Sequence, residues 1–90
     1  MLHYKTYIIG LDVPWVTFIH GAGASSSTWF KQVRAFRKEY NVLVLDLRGH
    51  GKSERGLWEK GDNFTEIAKE VVDVLDELHI QKSHIVGMSL

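Results

Sequence analysis

Residues 15–23 read WVTFIHGAG, a run of β-branched and aromatic side chains that ends in a histidine and two glycines. Trp15–Ile19 therefore predicts a β-strand that stops where the glycines begin. Val42–Leu45 and His84–Met88 are two more short apolar runs. Continuous apolarity is typical of parallel strands that helices cover on both faces, so we expect all three strands to be buried.

Two amphipathic helices are predicted between these strands. In the first, after a serine-rich turn, apolar residues recur every three or four positions: Trp29, Val33, Phe36 and Tyr40. The second carries one broad apolar stripe: Phe64, Ile67, Ala68, Val71, Val72, Leu75 and Leu78. Leu2–Ile9 mixes polar and apolar residues and predicts an edge strand. This order of elements predicts an α/β fold, a mostly parallel sheet with flanking helices joined by right-handed crossovers.

The composition excludes several classes of protein. Eleven Lys and Arg balance eleven Asp and Glu over 90 residues, so no global field attracts nucleic acid or an anionic membrane. The basic residues Lys31, Arg34 and Lys38 of the first helix are interpreted as a solvated face, since acidic residues nearby offset them. Without cysteine there is no disulfide, thiolate nucleophile or Cys-based zinc site, and no metal-ligand spacing occurs. We expect neither a metal nor a cofactor.

The sequence shows no pattern typical of a membrane span or a signal peptide. No apolar run approaches the roughly 18 residues that a membrane span requires. Residues 1–10 include Lys5 but lack the continuous apolar stretch and the small-residue cleavage site of a signal peptide. A cytoplasmic location is therefore expected, with no membrane partner.

Two glycine-containing loops partly match nucleotide-binding motifs. Gly21 and Gly23 follow a strand as in a dinucleotide fingerprint, but Ser26 occupies the place of the third glycine. Residues 51–53 resemble the end of a P-loop, yet Asp46 stands where the first glycine belongs, and its carboxylate would repel a phosphate. A nucleotide-binding α/β module remains an alternative.

Three segments leave the carboxyl ends of the predicted strands, where α/β sheets collect their chemistry. They are the His-Gly turn at residues 20–24, the run DLRGHGKS at residues 46–53, and Gly-Met-Ser at residues 87–89. Taken together and in this order, they resemble the α/β-hydrolase family. The resemblance covers all ninety residues but corresponds only to about the first third of such a protein. The family's strand order implies that Ile85–Met88 pairs with Trp15–Ile19 and leaves its other edge exposed. We therefore expect residues 1–90 to form a single incomplete domain that lacks the later strands, the acid, the base and the cap.

The resemblance implies a role for each motif residue. Ser89 would be the nucleophile, on a sharp turn whose first flanking glycine is Gly87. The backbone amides of Ala22 and Leu90 would form the oxyanion hole. The family's catalytic histidine comes late in the chain, so none of the five histidines present would be the base. Support of the active-site loops is expected from His20, Gly21, Gly23, Asp46, Arg48, His50 and Gly87.

The implied activity is hydrolysis of an ester-like bond of a small molecule through an acyl-enzyme on Ser89. A serine at this position disfavours the branches that use aspartate, such as haloalkane dehalogenases and epoxide hydrolases. The ninety residues alone are expected to be nearly inactive, and the polypeptide is expected to continue past Leu90. A non-catalytic relative that binds small molecules is a second alternative. No oligomeric state follows from the pattern.

Overall fold

The computed structural model describes residues 1–21, 23–51 and 64–88. The strands are β1 (Tyr4–Tyr7), β2 (Trp15–Ile19), β3 (Asn41–Leu45) and β4 (His84–Gly87). A 3₁₀ turn (Ser26–Trp29) leads into α1 (Phe30–Phe36), and α2 (Phe64–Glu77) precedes β4. The sheet has the order β1-β3-β2-β4, in which β1 is antiparallel to β3 and the other neighbours are parallel. The predicted α/β class is confirmed.

Strand β3 lies at the centre of the packing. All five of its residues are buried, because β1 and β2 flank it in the sheet and a helix covers each face. Leu43 and Leu45 point to one side, where they pack in a cluster with Ile67, Val71 and Val74 of α2. The alternate residues of β3 face a second cluster on the other side, which contains Val16, Phe18, Trp29, Val33, Val42 and Val44. Burial on both faces is confirmed for β3 and for the middle of β2.

For β4, the burial predicted from apolarity is wrong, whereas the pairing with β2 and the exposed outer edge that the resemblance implies are observed. This strand pairs with β2 in parallel, from Val16 opposite His84 to Ile19 opposite Gly87, but all four of its residues are exposed. It is an edge strand of the described sheet, so it lacks the second neighbour that β3 has. Ile85 is 54% exposed as a result. An apolar run thus predicted a strand here but not its burial.

In both helices, the residues that are helical and buried differ in part from the predicted apolar stripes. Helix α1 ends at Phe36, so Tyr40 lies outside it, and the turn before it is 3₁₀. Among residues 65–77 of α2, the buried ones are Ile67, Val71 and Val74, and the partly buried Leu75 packs against the same cluster. Ala68 and Val72 are exposed, and Val74, which the predicted stripe omitted, is fully buried. Within the described ranges, no helix combines the length and apolarity needed to cross a membrane.

Asn41, the first residue of β3, holds the connection between β1 and β2. It is buried, and its Oδ1 accepts hydrogen bonds from the backbone amides of Ile9 and Gly10 at 2.7 and 3.3 Å. Its Nδ2 donates to the carbonyls of Gly10 and Val13. One side chain therefore satisfies four backbone groups of an otherwise irregular segment.

Candidate active site

The carboxyl ends of β2, β3 and β4 lie at one edge of the sheet because these strands are parallel. The described residues of the β2 loop (residues 20–21 and 23–25) and the β3 loop (residues 46–51) leave this edge and are joined by hydrogen bonds. Strand β4 arrives at the same place, where the Met88 amide donates a hydrogen bond of 3.1 Å to the Ile19 carbonyl. The topology thus brings together the described parts of all three predicted motifs.

His20 is a fully buried polar side chain of the β2 loop. Its Nε2 accepts a 2.9 Å hydrogen bond from the amide of Leu47, which lies in the β3 loop. Its Nδ1 lies 2.7 Å from the carbonyl oxygen of Gly21. Because an amide can only donate and a carbonyl can only accept, the proton of the ring sits on Nδ1.

His50 repeats this arrangement in the opposite direction. Its Nε2 accepts a 2.9 Å hydrogen bond from the Gly23 amide in the β2 loop, and its Nδ1 donates to the Arg48 carbonyl at 2.9 Å. The two imidazole rings lie 5.0 Å apart, centroid to centroid. Each loop therefore supplies a histidine whose Nε2 accepts a hydrogen bond from a backbone amide of the other loop. We call this pair of interactions, made by His20 and His50, the histidine clasp.

The clasp occupies both nitrogens of each ring with backbone groups. A general base needs a nitrogen that can take the proton of the nucleophile, so neither histidine is available in this arrangement. Of the other described histidines, His3 precedes β1 at the carboxyl edge, where its carbonyl accepts a hydrogen bond from the Asp46 amide. His84 begins β4 and His79 follows α2, both at the opposite edge of the sheet. The geometry therefore suits loop support rather than proton transfer.

Asp46 ties the β3 loop to the start of the 3₁₀ turn. Its carboxylate is 2% exposed, and Oδ1 accepts a 2.7 Å hydrogen bond from the Ser26 amide. The Asp46 amide donates in turn to the His3 carbonyl. Gly51 lies directly against this carboxylate and has a φ of 51°. A Cβ at that position would overlap the Asp46 side chain. Only glycine satisfies both the left-handed backbone and the close approach.

Arg48 connects the β3 loop to α2. Its Nε lies 3.1 Å from Oε1 of Glu70, and both side chains are about three-quarters buried, at 30% and 26% exposure. The predicted apolar stripe of the second helix does not include Glu70, which indicates its polar side but no partner. A long-range ion pair of this kind has no local signal, because its two members are 22 residues apart in the chain.

The remaining glycines allow close approach to different degrees. Gly23 adopts a φ of 82°, and a Cβ there would meet no atom within 4 Å, so only its backbone conformation requires glycine. Gly21 is buried beneath the clasp. A Cβ on Gly87 would make ordinary contact with the Ile19 carbonyl at 3.8 Å. The proposed nucleophile Ser89 and the proposed oxyanion-hole residues Ala22 and Leu90 lie outside the described residues, so their roles remain predictions.

A metal centre has no support in the described residues. No group of three or more His, Asp or Glu side chains within residues 1–21, 23–51 and 64–88 is arranged to hold an ion. The sequence pattern identified Asp46, His20 and Arg48 but not their partners, which are Ser26, Leu47 and Glu70 respectively. The first two contribute only a backbone amide, which no residue pattern reveals.

Comparisons with known proteins agree with this architecture. The family model described as alpha/beta hydrolase fold matches residues 14–90. The chain is 32% identical over 79 residues to 3-oxoadipate enol-lactonase 1 of Acinetobacter baylyi, covering 88% of this chain and 29% of that protein. It is 31% identical over 74 residues to Epoxide hydrolase 4 of Mus musculus, covering 82% of this chain and 21% of that protein.

A solved structure shows the same similarity in three dimensions. The crystal structure of the enol-lactonase from Burkholderia xenovorans LB400 superposes with a TM-score of 0.89 and 30% identity, covering 98% of this chain and 34% of that chain. The chain thus spans about a third or less of the length of the relatives it matches.

Proposed function

Because the chain belongs to the alpha/beta hydrolase fold family, we propose that the full natural polypeptide is a serine hydrolase that cleaves an ester-like bond of a small molecule. The hydrogen bond from the Met88 amide to the Ile19 carbonyl is the observation that carries this proposal. It holds the residue before Ser89 against the last residue of β2, where the His-Gly turn begins. A hydroxyl at position 89 would then lie near the turn that contains Ala22.

The reaction follows from the roles of these groups. The Ser89 oxygen attacks the substrate carbonyl as a base removes its proton, and the amides of Ala22 and Leu90 donate to the resulting oxyanion. The carbon–oxygen bond to the leaving group breaks as the protonated base gives its proton to that oxygen, which releases an alcohol and leaves an acyl group on Ser89. Water then attacks this acyl group and releases a carboxylic acid. The clasp engages both ring nitrogens of His20 and His50, and the family's catalytic histidine comes late in the chain, so we assign the role of the base to another part of the natural polypeptide.

The nature of the nucleophile distinguishes this proposal from other chemistries on the same fold. A fluorophosphonate probe phosphonylates an activated serine and displaces fluoride, so it should label the natural polypeptide at Ser89. Peptide mapping by mass spectrometry locates the label, and Ser89→Ala should abolish it. Label that persists in the variant would show that another residue is the nucleophile. No label on either protein would favour the non-catalytic binding relative.

The histidine clasp is proposed to position the oxyanion hole. His50 binds the Gly23 amide and so fixes the backbone directly after Ala22. His50→Ala should lower kcat by about 10²-fold with little change in KM, because small displacements of a catalytic group have effects of that size. His79→Ala, at the other edge of the sheet, is the matched control and should keep the wild-type kcat. An equal loss in both variants would contradict the positioning role, as would an unchanged kcat in His50→Ala.

The setting of the reaction is proposed from composition. We propose a small-molecule ester-like substrate, no nucleic-acid or membrane partner, and a cytoplasmic location. The formal net charge of zero supports the absence of a polyanionic partner.

A further inference from the structure

A cavity of about 370 Å³ lies between β1 and α1, on the face of the sheet that α1 covers. Lys5 and Tyr7 reach it from β1, because residues two apart on a strand point to the same side. Arg34 and Arg37 reach it from the end of α1. Three cationic side chains from two separate elements therefore converge on one concave surface.

These cations are not neutralised by the described part of the chain. None of Lys5, Arg34 and Arg37 has a carboxylate oxygen within 4 Å among residues 1–21, 23–51 and 64–88. The Arg37 guanidinium instead lies over the Tyr7 ring at 4.7 Å. Stacking on an aromatic ring orients a guanidinium while its N–H groups stay available as donors. The cavity thus concentrates positive charge in a chain whose formal net charge is zero.

The rest of the lining is half polar and half apolar. Ser26 and Ser27 contribute hydroxyl groups at one end. Val33 and Val44, both members of a core cluster, form an apolar floor beside the Tyr7 ring. Hydroxyls and guanidinium groups bind carboxylates and phosphates, whereas the floor suits hydrocarbon.

We propose that this cavity binds a small amphipathic anion, with a carboxylate or phosphate head near Arg34, Arg37 and Lys5 and a short hydrocarbon body on the valine floor. The sequence pattern grouped Arg34 with Lys31 and Lys38 as a solvated face. The structure separates them: Arg34 lines the cavity, whereas the two lysines do not. This site is independent of the proposed hydrolase activity.

A second, smaller cavity extends the first towards the β3 loop. It has a volume of about 280 Å³ and shares Lys5, Ser26 and Ser27 with the first, and it reaches Asp46 and Gly51. The Ser26 amide is the donor that Asp46 accepts. An anion bound in the first cavity would therefore contact the same 3₁₀ turn that the β3 loop holds.

Binding to the natural polypeptide can be measured by titration with sodium octanoate and octyl phosphate, followed by amide NMR shifts. Octan-1-ol tests the hydrocarbon alone, and inorganic phosphate tests the head group alone. We expect saturable shifts at Lys5, Ser26, Ser27 and Arg34 with either amphipathic anion, and binding at least fivefold weaker with octan-1-ol or inorganic phosphate. The stronger of the two anions identifies the preferred head group.

Two double variants of α1 provide the decisive comparison. Arg34→Gln with Arg37→Gln removes two charges from the cavity and should weaken octanoate binding about tenfold, because each charge-assisted hydrogen bond contributes more than a neutral one. Lys31→Gln with Lys38→Gln removes the same net charge outside the cavity and should change binding less than twofold. Lys5→Gln, an exposed substitution on β1, provides a second test should the arginine pair be needed for folding. Equal weakening in both double variants, or equal affinity for octan-1-ol, would overturn the proposal.

Discussion

Replacing Ser89 with alanine is expected to lower the kcat of the natural polypeptide by about 10⁵- to 10⁶-fold, the loss seen when the nucleophile of a serine hydrolase is removed. Alanine cannot form the acyl intermediate, so the only remaining contribution is binding of the oxyanion by backbone amides. The substitution keeps the backbone amide of Leu90, which is one of the two proposed donors. The loss in rate would therefore report the hydroxyl alone.

A second serine, at the other end of β4, makes the matched control. Ser83 precedes β4 at the opposite edge of the sheet, and its Oγ lies 2.7 Å from Oγ1 of the buried Thr17. Ser83→Ala should keep kcat within about threefold and lower the free energy of unfolding by about 1 kcal/mol, the net contribution of one hydrogen bond. Hydrolysis of a chromogenic ester gives kcat and KM for both variants. A Ser89→Ala protein that keeps more than 1% of wild-type kcat would contradict the assignment.

The sequence predicts the sheet well where burial and strand propensity agree. Trp15–Ile19 forms β2 with the predicted bounds, and Val42–Leu45 lies within β3. Both runs are apolar because each strand has a neighbouring strand on either side and packed side chains on both faces, which together exclude water. His84–Met88 looks the same in sequence, yet β4 is exposed because it stands at the edge of the described sheet. The number of neighbouring strands depends on the topology of the sheet. It therefore cannot be predicted from the residue pattern of a single strand.

The candidate site is predictable only in part for a related reason. A histidine before a glycine turn and a histidine inside DLRGHGKS can be identified from their motifs. The sequence does not reveal that each histidine accepts a hydrogen bond from a backbone amide of the other loop, because the amides of Gly23 and Leu47 have no side-chain signature. The same limit applies to Arg34, which helical spacing groups with two lysines, whereas the β1–α1 packing places it beside Lys5. Local patterns identify the participants, and tertiary packing determines their partners.

Gly51→Ala is expected to lower the free energy of unfolding by about 2 to 5 kcal/mol, with two separable causes. An alanine at a φ of 51° costs about 1 to 2 kcal/mol through its left-handed backbone. Its Cβ would also overlap the carboxylate of Asp46, which is buried and accepts the Ser26 amide. Moving that carboxylate away leaves a buried donor unpaired, at a further cost of about 1 to 3 kcal/mol.

Gly23→Ala separates these causes, because Gly23 also has a positive φ, of 82°, but its Cβ would meet no atom within 4 Å. Urea unfolding of both variants should therefore show a loss of about 1 to 2 kcal/mol for Gly23→Ala and at least 1.5 kcal/mol more for Gly51→Ala. Equal losses would mean that Asp46 can move without leaving Ser26 unpaired, and the Asp46 carboxylate would then not hold the β3 loop against the 3₁₀ turn. A larger loss for Gly51→Ala, with amide NMR shifts that extend to Ser26, would show that the carboxylate links these two segments.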